Sequence, residues 1–351
     1  MDFRYLGHSG LQVSAMTFGT MTFGGVGPSG KTGATDIAGA KRQIGMCLDA
    51  GVNMFDSADT YSEGVAEEVL GEAIAGFRQQ LLVATKARFP ITPGPNLEGL
   101  SRHHLVAACE ASLRRLKTDY IDLFQLHGWD GRTPVEETMR AIDDLVRSGK
   151  VRYVGVSNFA GWQLMKVLGV SDMRHLIRPI SQQIYYTLAA REAEYELVPI
   201  AIDQGVGILI WGPLASGLLT GKYQRGQNAP PNTRAAAGWE MPPVHDEDRF
   251  YDIVDLLVSV AKDHAASAAQ VVLAWLLGRP GVTSVVIGAR TDEQLADTLA
   301  SANLSLSDEE RGRLDHVSAP PLIYPYWHQA RYARGRASPA DVLVLSNAGE
   351  A

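Results

Sequence analysis

Four residues of reactive types follow three short apolar segments of this sequence, each near the point where a β-strand would end. Asp56 closes the first segment, and Tyr61 lies five residues further on. Lys86 directly follows the second segment, and His127 directly follows the third. If these segments are parallel strands of one closed sheet, their carboxyl ends meet at one face. An acid, a phenol, an amine and an imidazole would then lie together.

These four side-chain types are suited to proton transfer onto a carbonyl oxygen. A tyrosine has an unperturbed pKa of about 10, and a neighbouring ammonium group is expected to lower that pKa. A carboxylate would hold the ammonium, and an imidazole could orient a carbonyl group. Such a phenol is a general acid for a carbonyl that gains a hydride. Each residue alone is better explained as a helix cap, a packing residue or a surface charge, so only their joint placement favours catalysis.

The elements that position these residues alternate between short strands and longer helical patterns, which predicts a (β/α)8 barrel. A doubly wound α/β fold is the alternative, although its usual Gly-x-Gly-x-x-Gly signature does not follow the first strand. Residues 3–6 and 11–13 predict a small N-terminal hairpin within residues 1–14. The eight predicted strands are 15–19, 52–56, 81–85, 120–126, 151–156, 180–184, 206–210 and 282–287.

Helix signals occupy the intervals between these strands. Apolar or small residues at helical spacing predict a helix over 105–116. Thr133 to Glu136 reads as a capping box with a proline at the first helical position, and Thr291 and Ser307 open two further capping boxes. Three irregular stretches remain, at 24–35, 221–248 and 320–351. Loops of this length are often functional or mobile.

Composition excludes several classes of protein. The 351 residues include 32 basic and 39 acidic side chains, and the net charge of -7 argues against a nucleic-acid partner. The two cysteines have no metal or redox spacing. No apolar run approaches the roughly 20 residues of a membrane helix, and the first residues do not resemble a signal peptide. We therefore expect one cytoplasmic domain over 1–351, with no metal and no membrane partner.

One motif points elsewhere. Residues 25–32 match the pattern G-x-x-x-x-G-K-T, which is typical of nucleoside triphosphatases. That motif needs a strand directly before it and a helix that begins at the Gly-Lys-Thr. The preceding strand is predicted to end near Gly19, and Asp36 is a better helix cap than Thr32. A chance match in a glycine-rich loop is favoured, and the triphosphatase is retained as a competing hypothesis.

The sequence resembles the aldo-keto reductase family, from about Tyr5 to about Trp327. The resemblance rests on Phe-Asp-Ser-Ala-Asp-Thr-Tyr at 55–61, Lys86, and Gln-Leu-His at 125–127. It extends to Gly-Lys-Val-Arg-Tyr-Val-Gly-Val-Ser-Asn at 149–158 and to Trp-Gly-Pro-Leu-Ala-Ser-Gly-Leu-Leu-Thr-Gly-Lys at 211–222. The resemblance implies a barrel that binds a nicotinamide dinucleotide, with Tyr61 as the proton donor.

Further roles follow from the resemblance. Ser157, Asn158 and Gln183 would hold the carboxamide of the cofactor, and Trp211 would stack on its nicotinamide ring. Other implied cofactor contacts are Gly19, Thr20, Met21, Asp56, Gly212, Pro213, Leu214, Ser216, Gly217, Lys222, Gly288 and Gln294.

The expected phosphate site lies after the last strand, where Thr291 caps a helix. Free N–H groups at a helix start favour a phosphate, and Arg290 can bind one through two nitrogens. NADP(H) is therefore the preferred cofactor. Asp292 and Glu293 place negative charge in the same turn, so NAD(H) is the alternative.

Aromatic residues of the loops and the tail predict an apolar pocket for a medium-sized aldehyde, ketone or alcohol. The rival to an enzyme is a regulatory subunit, because the resembled family includes channel-associated proteins that bind the cofactor and turn over slowly. The oligomeric state is not visible in the sequence. The predicted pocket residues are Phe23, Phe89, Trp129, Trp239, Tyr324 and Trp327, with Tyr326 beside them.

Overall fold

The computed structural model describes residues 1–231, 233, 236, 242–332, 334–341 and 343. Eight parallel strands form a closed barrel, in which each strand lies beside the next one along the chain and the last pairs with the first. A two-stranded antiparallel hairpin precedes it. The strands are β1 (Phe3–Tyr5), β2 (Gln12–Ser14), β3 (Met16–Gly19), β4 (Met54–Asp56), β5 (Leu82–Ala87), β6 (Ile121–Leu126), β7 (Val151–Ser157), β8 (Ser181–Tyr185), β9 (Gly207–Trp211) and β10 (Val282–Ile287).

Helices surround this barrel and connect its strands. They are α1 (Ile37–Asp49), α2 (Val65–Ala73), α3 (Arg102–Leu116), α4 (Val135–Arg147), α5 (Gly161–Arg174), α6 (Ala193–Gln204), α7 (Glu247–Asp263), α8 (Ala268–Leu277), α9 (Asp292–Ala300), α10 (Asp308–Val317) and α11 (Tyr326–Tyr332). Short 3₁₀ helices occupy several loops, including Gly27–Lys31, Tyr61–Gly64 and Ala215–Thr220. In the described ranges, no helix has the length and apolar character needed to cross a membrane.

The predicted (β/α)8 barrel and its hairpin are confirmed, and the doubly wound alternative is wrong. The sheet closes on itself because β10 pairs with β3 on one side and with β9 on the other. Each predicted strand overlaps an observed one. The strand interiors are apolar because helices cover the outside of the sheet and side chains fill the inside.

The hairpin closes the amino-terminal end of the barrel. Leu6 and Val13 are completely buried and pack with the inward-facing Met54, Ala84, Leu123 and Leu209. The backbone N–H of His8 donates to the carbonyl of Gly205 at 2.7 Å, just before β9. A Cβ at Gly7 would lie 2.4 Å from the carbonyl oxygen of Ile180, so only glycine fits there. The carboxyl end of the barrel is thereby left as the face for ligands.

One of the predicted helix caps does not form, and a second forms without the reciprocal bond of a capping box. Pro134, not Thr133, is the residue before α4, and it makes no side-chain cap. The Thr133 hydroxyl instead donates to the carboxylate of Asp130 at 2.6 Å. Thr291 does cap α9 by accepting from the N–H of Gln294, but the Gln294 side chain accepts from the N–H of Arg290 rather than that of Thr291.

The other two predicted caps are confirmed. Ser307 and Glu310 form the full capping box of α10. Asp36 caps α1 by accepting from the N–H of Gly39 at 2.8 Å.

The G-x-x-x-x-G-K-T segment lacks the structure that a triphosphatase needs. Strand β3 ends at Gly19, well before this segment, and a 3₁₀ helix over Gly27–Lys31 replaces the expected loop. The following α-helix begins only at Ile37. The Thr32 hydroxyl donates to the carbonyl of Met21 at 2.9 Å. Local backbone contacts thus explain this segment.

A buried ionic network joins three outer helices to one another. Glu194 is completely buried at the start of α6 and accepts from Arg191 at 2.8 Å and from Arg279 at 3.1 Å. Arg279 follows α8 and also bonds to Asp315 of α10 at 2.8 Å. The network joins three helices whose residues lie far apart in the chain. Removing its central charge would leave two guanidinium groups poorly compensated.

We predict that Glu194→Gln lowers the free energy of unfolding by about 3–5 kcal/mol, since it breaks a buried charge network. Glu136→Gln is the matched control, because Glu136 binds Arg140 and Arg174 on the exposed surface. Glu136→Gln should lower the free energy of unfolding by less than about 1 kcal/mol. Denaturant titration measures both values, and equal losses would show that burial does not set the strength of the network.

Candidate active site

The four predicted catalytic residues meet at the carboxyl end of the barrel. Asp56 ends β4, Lys86 lies near the end of β5, and His127 directly follows β6. Tyr61 begins the 3₁₀ turn after β4. The Nζ of Lys86 donates to Asp56 Oδ2 at 2.6 Å and lies 3.4 Å from the phenolic oxygen of Tyr61.

The ion pair between Lys86 and Asp56 is buried and held from several sides. The Lys86 side chain is completely buried, and its Nζ also donates to the carbonyl of Ser57 at 2.6 Å. The second carboxylate oxygen of Asp56 accepts from Gln125 at 2.9 Å and from Gln183 at 3.1 Å. The sequence analysis gave Gln125 no role, although it stands in the Gln-Leu-His segment that carries the family resemblance.

Electrostatics keep the lysine charged and the tyrosine protonated near neutral pH. Burial is the largest single effect and acts to lower the pKa of Lys86, but the charges and hydrogen bonds of Asp56 and Tyr61 together outweigh it, and the pKa is raised. Burial raises the pKa of Tyr61 above its ordinary value, and the nearby Lys86 offsets only part of that effect. The ammonium of Lys86 does act to lower this pKa, as expected, but desolvation of the phenolate is the larger effect, so the pKa is raised overall.

His127 lies beside Tyr61 as a neutral imidazole. The two rings meet edge to face, with centroids 6.0 Å apart. Burial, together with the positive charges of Lys86 and Arg88, holds the pKa of His127 well below its usual range. Its Nδ1 is buried and has no hydrogen-bond partner among the described residues. A neutral imidazole that faces the phenol can donate or accept a hydrogen bond with a small polar group placed between the two rings.

A second group of predicted residues lies beside the first. Asn158 follows β7 in the left-handed region, at φ 57°. Its amide nitrogen donates to the carbonyl of His127 at 3.1 Å, and its amide oxygen accepts from the indole of Trp211 at 2.9 Å. The buried Ser157 hydroxyl accepts from the same amide nitrogen at 3.1 Å. These contacts connect the ends of β6, β7 and β9.

Tyr185 is a neighbour that the sequence analysis missed. Its ring lies 4.9 Å from the ring of Trp211, with the planes at 41°. Its hydroxyl is buried and unpaired within the described part of the chain, and burial raises its pKa. An aromatic residue at the end of β8, two residues after Gln183, was the available signal.

Several other predicted cofactor residues lie at or just after the ends of the first and seventh barrel strands. Gly19, Thr20 and Met21 close β3, and the Thr20 hydroxyl is buried without a partner in the described ranges. After β9, the backbone turns at Gly212, and the Pro213 carbonyl accepts from Thr187 at 2.7 Å. Leu214, Ser216, Gly217 and Lys222 occupy the turn that follows.

The end of β10 opens into a cavity. Gly288 and Arg290 are exposed there, and Gln294 lies in the first turn of α9. A cavity of about 550 Å³ lies between the first turns of α1 and α9, with Arg290 on its wall. Arg290 therefore lies at an open site that is separate from the Lys86–Asp56 pair.

The predicted substrate residues separate into distinct groups. Phe23 is completely buried against Phe18, so its prediction as a pocket residue is wrong. Phe89 packs on His127 at 5.0 Å, as a residue beside the reacting groups would. Trp129 packs on Phe159 and Trp162. Tyr324 and Trp327 contact each other and are exposed, and Tyr326 stacks on Tyr195. Trp239 lies outside the described residues.

The turn that carries Tyr61 is strained and is held by a buried hydroxyl. Ser62 and Glu63 both adopt left-handed backbone angles, at φ 49° and 58°, which non-glycine residues rarely do. The Ser62 hydroxyl donates to the carbonyl of Phe23 at 2.6 Å. This bond joins the turn to the loop after β3. The sequence offered no sign of it beyond a small polar residue after Tyr61.

We predict that Ser62→Ala lowers the free energy of unfolding by about 1–3 kcal/mol, because a buried hydrogen bond is lost while the left-handed angle remains. Ser148→Ala is the control, since the exposed Ser148 makes a comparable bond to the Leu145 carbonyl. It should change stability by less than about 0.5 kcal/mol. If denaturant titration finds the two variants alike, Ser62 does not hold the turn.

The chain is similar to known proteins over most of its length. A model of the Aldo/keto reductase family matches residues 15–319. The chain is 38% identical to an uncharacterized oxidoreductase, YrpG, of Bacillus subtilis, over 92% of this chain and 97% of the relative. It is 32% identical to versiconal hemiacetal acetate reductase of Aspergillus parasiticus, over 93% and 99%. It is 36% identical to a probable voltage-gated potassium channel subunit beta of Arabidopsis thaliana, over 87% and 92%. The chain therefore belongs to the aldo/keto reductase family of oxidoreductases.

Proposed function

We propose that this protein is an NADP(H)-dependent oxidoreductase that interconverts an aldehyde or ketone and its alcohol, with Tyr61 as the general acid and base. The observation that carries the proposal is the buried Lys86–Asp56 pair, whose ammonium group lies 3.4 Å from the Tyr61 oxygen. The family and the reductase relative support the reaction class.

The residues present fit a nicotinamide dinucleotide. Trp211 and Tyr185 offer flat aromatic surfaces, and Ser157, Asn158 and Gln183 offer polar groups of the kind that bind a carboxamide. The Thr20 and Tyr185 hydroxyls are buried without partners in the ranges that the structure covers, as groups that await a ligand would be. When bound, this cofactor supplies or accepts the hydride.

Side chains of the protein donate and accept the proton. The pKa of Tyr61 is raised by burial from an ordinary value that is already well above neutral pH, so the phenol keeps its proton and can donate it to a carbonyl oxygen that becomes negative. The charge left on the phenolate is then stabilised by the Lys86 ammonium. Asp56 keeps that ammonium charged and in place. The neutral His127 orients the carbonyl group beside the phenol. In the alcohol-oxidising direction, the same groups remove the proton.

Cofactor choice and substrate class are part of the proposal. NADP(H) is preferred because Arg290 and the start of α9 favour an added phosphate, with NAD(H) as the alternative. Phe89 beside His127 favours a medium-sized apolar carbonyl compound. We further propose a single domain over 1–351, a cytoplasmic location, and small molecules rather than nucleic acids or membranes as partners. The net charge of -7 supports the nucleic-acid part.

A second candidate is a regulatory subunit that binds the cofactor and turns over weakly. One observation favours it, the relative from Arabidopsis that is named as a probable channel subunit. The complete set of Asp56, Tyr61, Lys86 and His127 favours the enzyme instead, because cofactor binding alone does not need a proton donor held in this way.

The test is NADPH consumption with 4-nitrobenzaldehyde by the wild type and Tyr61→Phe. We predict that the variant loses about 10²–10⁴-fold in kcat, since it cannot donate the proton. NADPH affinity should remain within a few fold. Tyr120→Phe is the control. Tyr120 directly precedes β6, at the end of the barrel opposite Tyr61, and its phenol hydroxyl donates to Gln79.

Each outcome decides between the candidates. Turnover by the wild type and Tyr120→Phe, but not by Tyr61→Phe, supports the enzyme. Equal turnover in all three removes Tyr61 from its role. Binding of NADPH with negligible turnover of a carbonyl panel by the wild type supports the regulatory subunit. Failure to bind NADPH overturns the cofactor assignment.

A further inference from the structure

Arg88 is a cation at the mouth of the barrel that takes no part in the proton transfer. It directly follows β5, two residues after Lys86. Its guanidinium carbon lies 4.8 Å from the centre of the Phe89 ring, and the same ring lies 5.0 Å from the His127 imidazole. After burial and Lys86, the charge of Arg88 is the next cause of the low pKa of His127. Arg88 and the imidazole therefore contact one aromatic ring beside the reacting groups.

The guanidinium group of Arg88 lacks a close acceptor. Its Nε is buried and donates to no residue that the structure describes. Its Nη1 lies 3.8 Å from Oε2 of Glu98, which is beyond hydrogen-bonding distance. The Glu98 side chain is 56% exposed, whereas that of Arg88 is only 27% exposed. A charged donor that has lost most of its water and has no close acceptor is poorly stabilised, so it would bind an acceptor supplied by a ligand.

The loop around Arg88 does not depend on this side chain. The N–H of Gly99 donates to the carbonyl of Arg88 at 2.7 Å, which closes the loop through the backbone alone. The long contact with Glu98 adds little, because exposed ion pairs contribute weakly to stability. A structural role therefore explains the carbonyl of Arg88 but not its charge.

The charge of Arg88 suits a carboxylate at the far end of a substrate. A guanidinium group is planar and permanently charged, and its N–H groups match the two oxygens of a carboxylate. Phe89 contacts both His127 and Arg88, so an apolar molecule that packs on this ring extends from the imidazole toward the guanidinium group. Glu98 already brings a carboxylate to this side of Arg88, and a ligand can displace it because it is held loosely.

We propose that Arg88 selects carbonyl substrates that also carry a carboxylate, and that it binds this group while Phe89 contacts the apolar part of the molecule. The inference rests on the proposed function and deepens it, since it adds an acidic group to the medium-sized carbonyl compound. Arg88 acts on the choice of substrate and not on the transfer of the proton.

The test compares two substrates of similar shape that differ in charge, 4-carboxybenzaldehyde and its neutral methyl ester, with NADPH as the reductant. The ratio of their kcat/KM values cancels effects on the cofactor and on folding. In Arg88→Met the acid-to-ester ratio should fall about 10–30-fold, because a charge-assisted hydrogen bond is lost. The loss should appear in KM for the acid, since the contact is made equally in the bound substrate and in the transition state.

Two further variants make the test specific. Glu98→Gln removes the competing carboxylate from an exposed position, so the acid-to-ester ratio should rise about two- to threefold. Arg132→Met is the matched control, because Arg132 is an exposed arginine in the loop after β6 and its loss changes the net charge equally. Its acid-to-ester ratio should stay within about twofold of the wild type.

The outcomes separate this inference from the proposed function. If the wild type reduces neither aldehyde and does not bind NADPH, both fail. If the wild type reduces the ester, the inference alone is overturned by an acid-to-ester ratio that is the same in Arg88→Met, or that falls equally in Arg132→Met. Equal losses on both substrates in Arg88→Met assign Arg88 a structural role and also overturn it. If Arg88→Met does not fold, an unchanged ratio in Glu98→Gln overturns it.

Discussion

The ion pair between Lys86 and Asp56 is the interaction on which the candidate site depends. Both side chains are buried, and a buried pair persists only when its geometry is good and its remaining hydrogen-bonding capacity is used. Gln125, Gln183 and the Ser57 carbonyl meet that need. The ammonium group is thereby fixed beside Tyr61, where it stabilises the negative charge that develops on the phenol oxygen as the proton leaves.

The barrel supplies the rigidity that this pair requires. Asp56, Lys86 and Gln125 come from three adjacent strands, so the hydrogen-bonded ladder between those strands sets their separation. The hairpin closes the opposite end of the barrel. Tyr61 differs from these residues because it lies on a loop. The strained turn and the Ser62 bond give this loop residue a defined position, and strain of this kind is commonly found at functional sites.

Local patterns in the sequence predicted the strands, the barrel and the four residues at its mouth. They succeeded because a short apolar run marks each strand and the fold places every strand end at one face. They failed where a particular side-chain contact decides the outcome. Phe23 packs against Phe18 in the core, and the Thr133 hydroxyl donates to Asp130 instead of capping α4. The raised pKa of Tyr61 likewise depends on burial, which spacing does not reveal.

The most direct test of the account is the rate of the first turnover in Lys86→Met, with NADPH already bound and a carbonyl substrate mixed in by stopped flow. If the ammonium group stabilises the phenolate in the transition state, the rate should fall at least about 10²-fold while the dissociation constant of NADPH changes only a few fold. A first turnover as fast as that of the wild type, in a variant that is folded and binds NADPH, would contradict the central role of the Lys86–Asp56 pair.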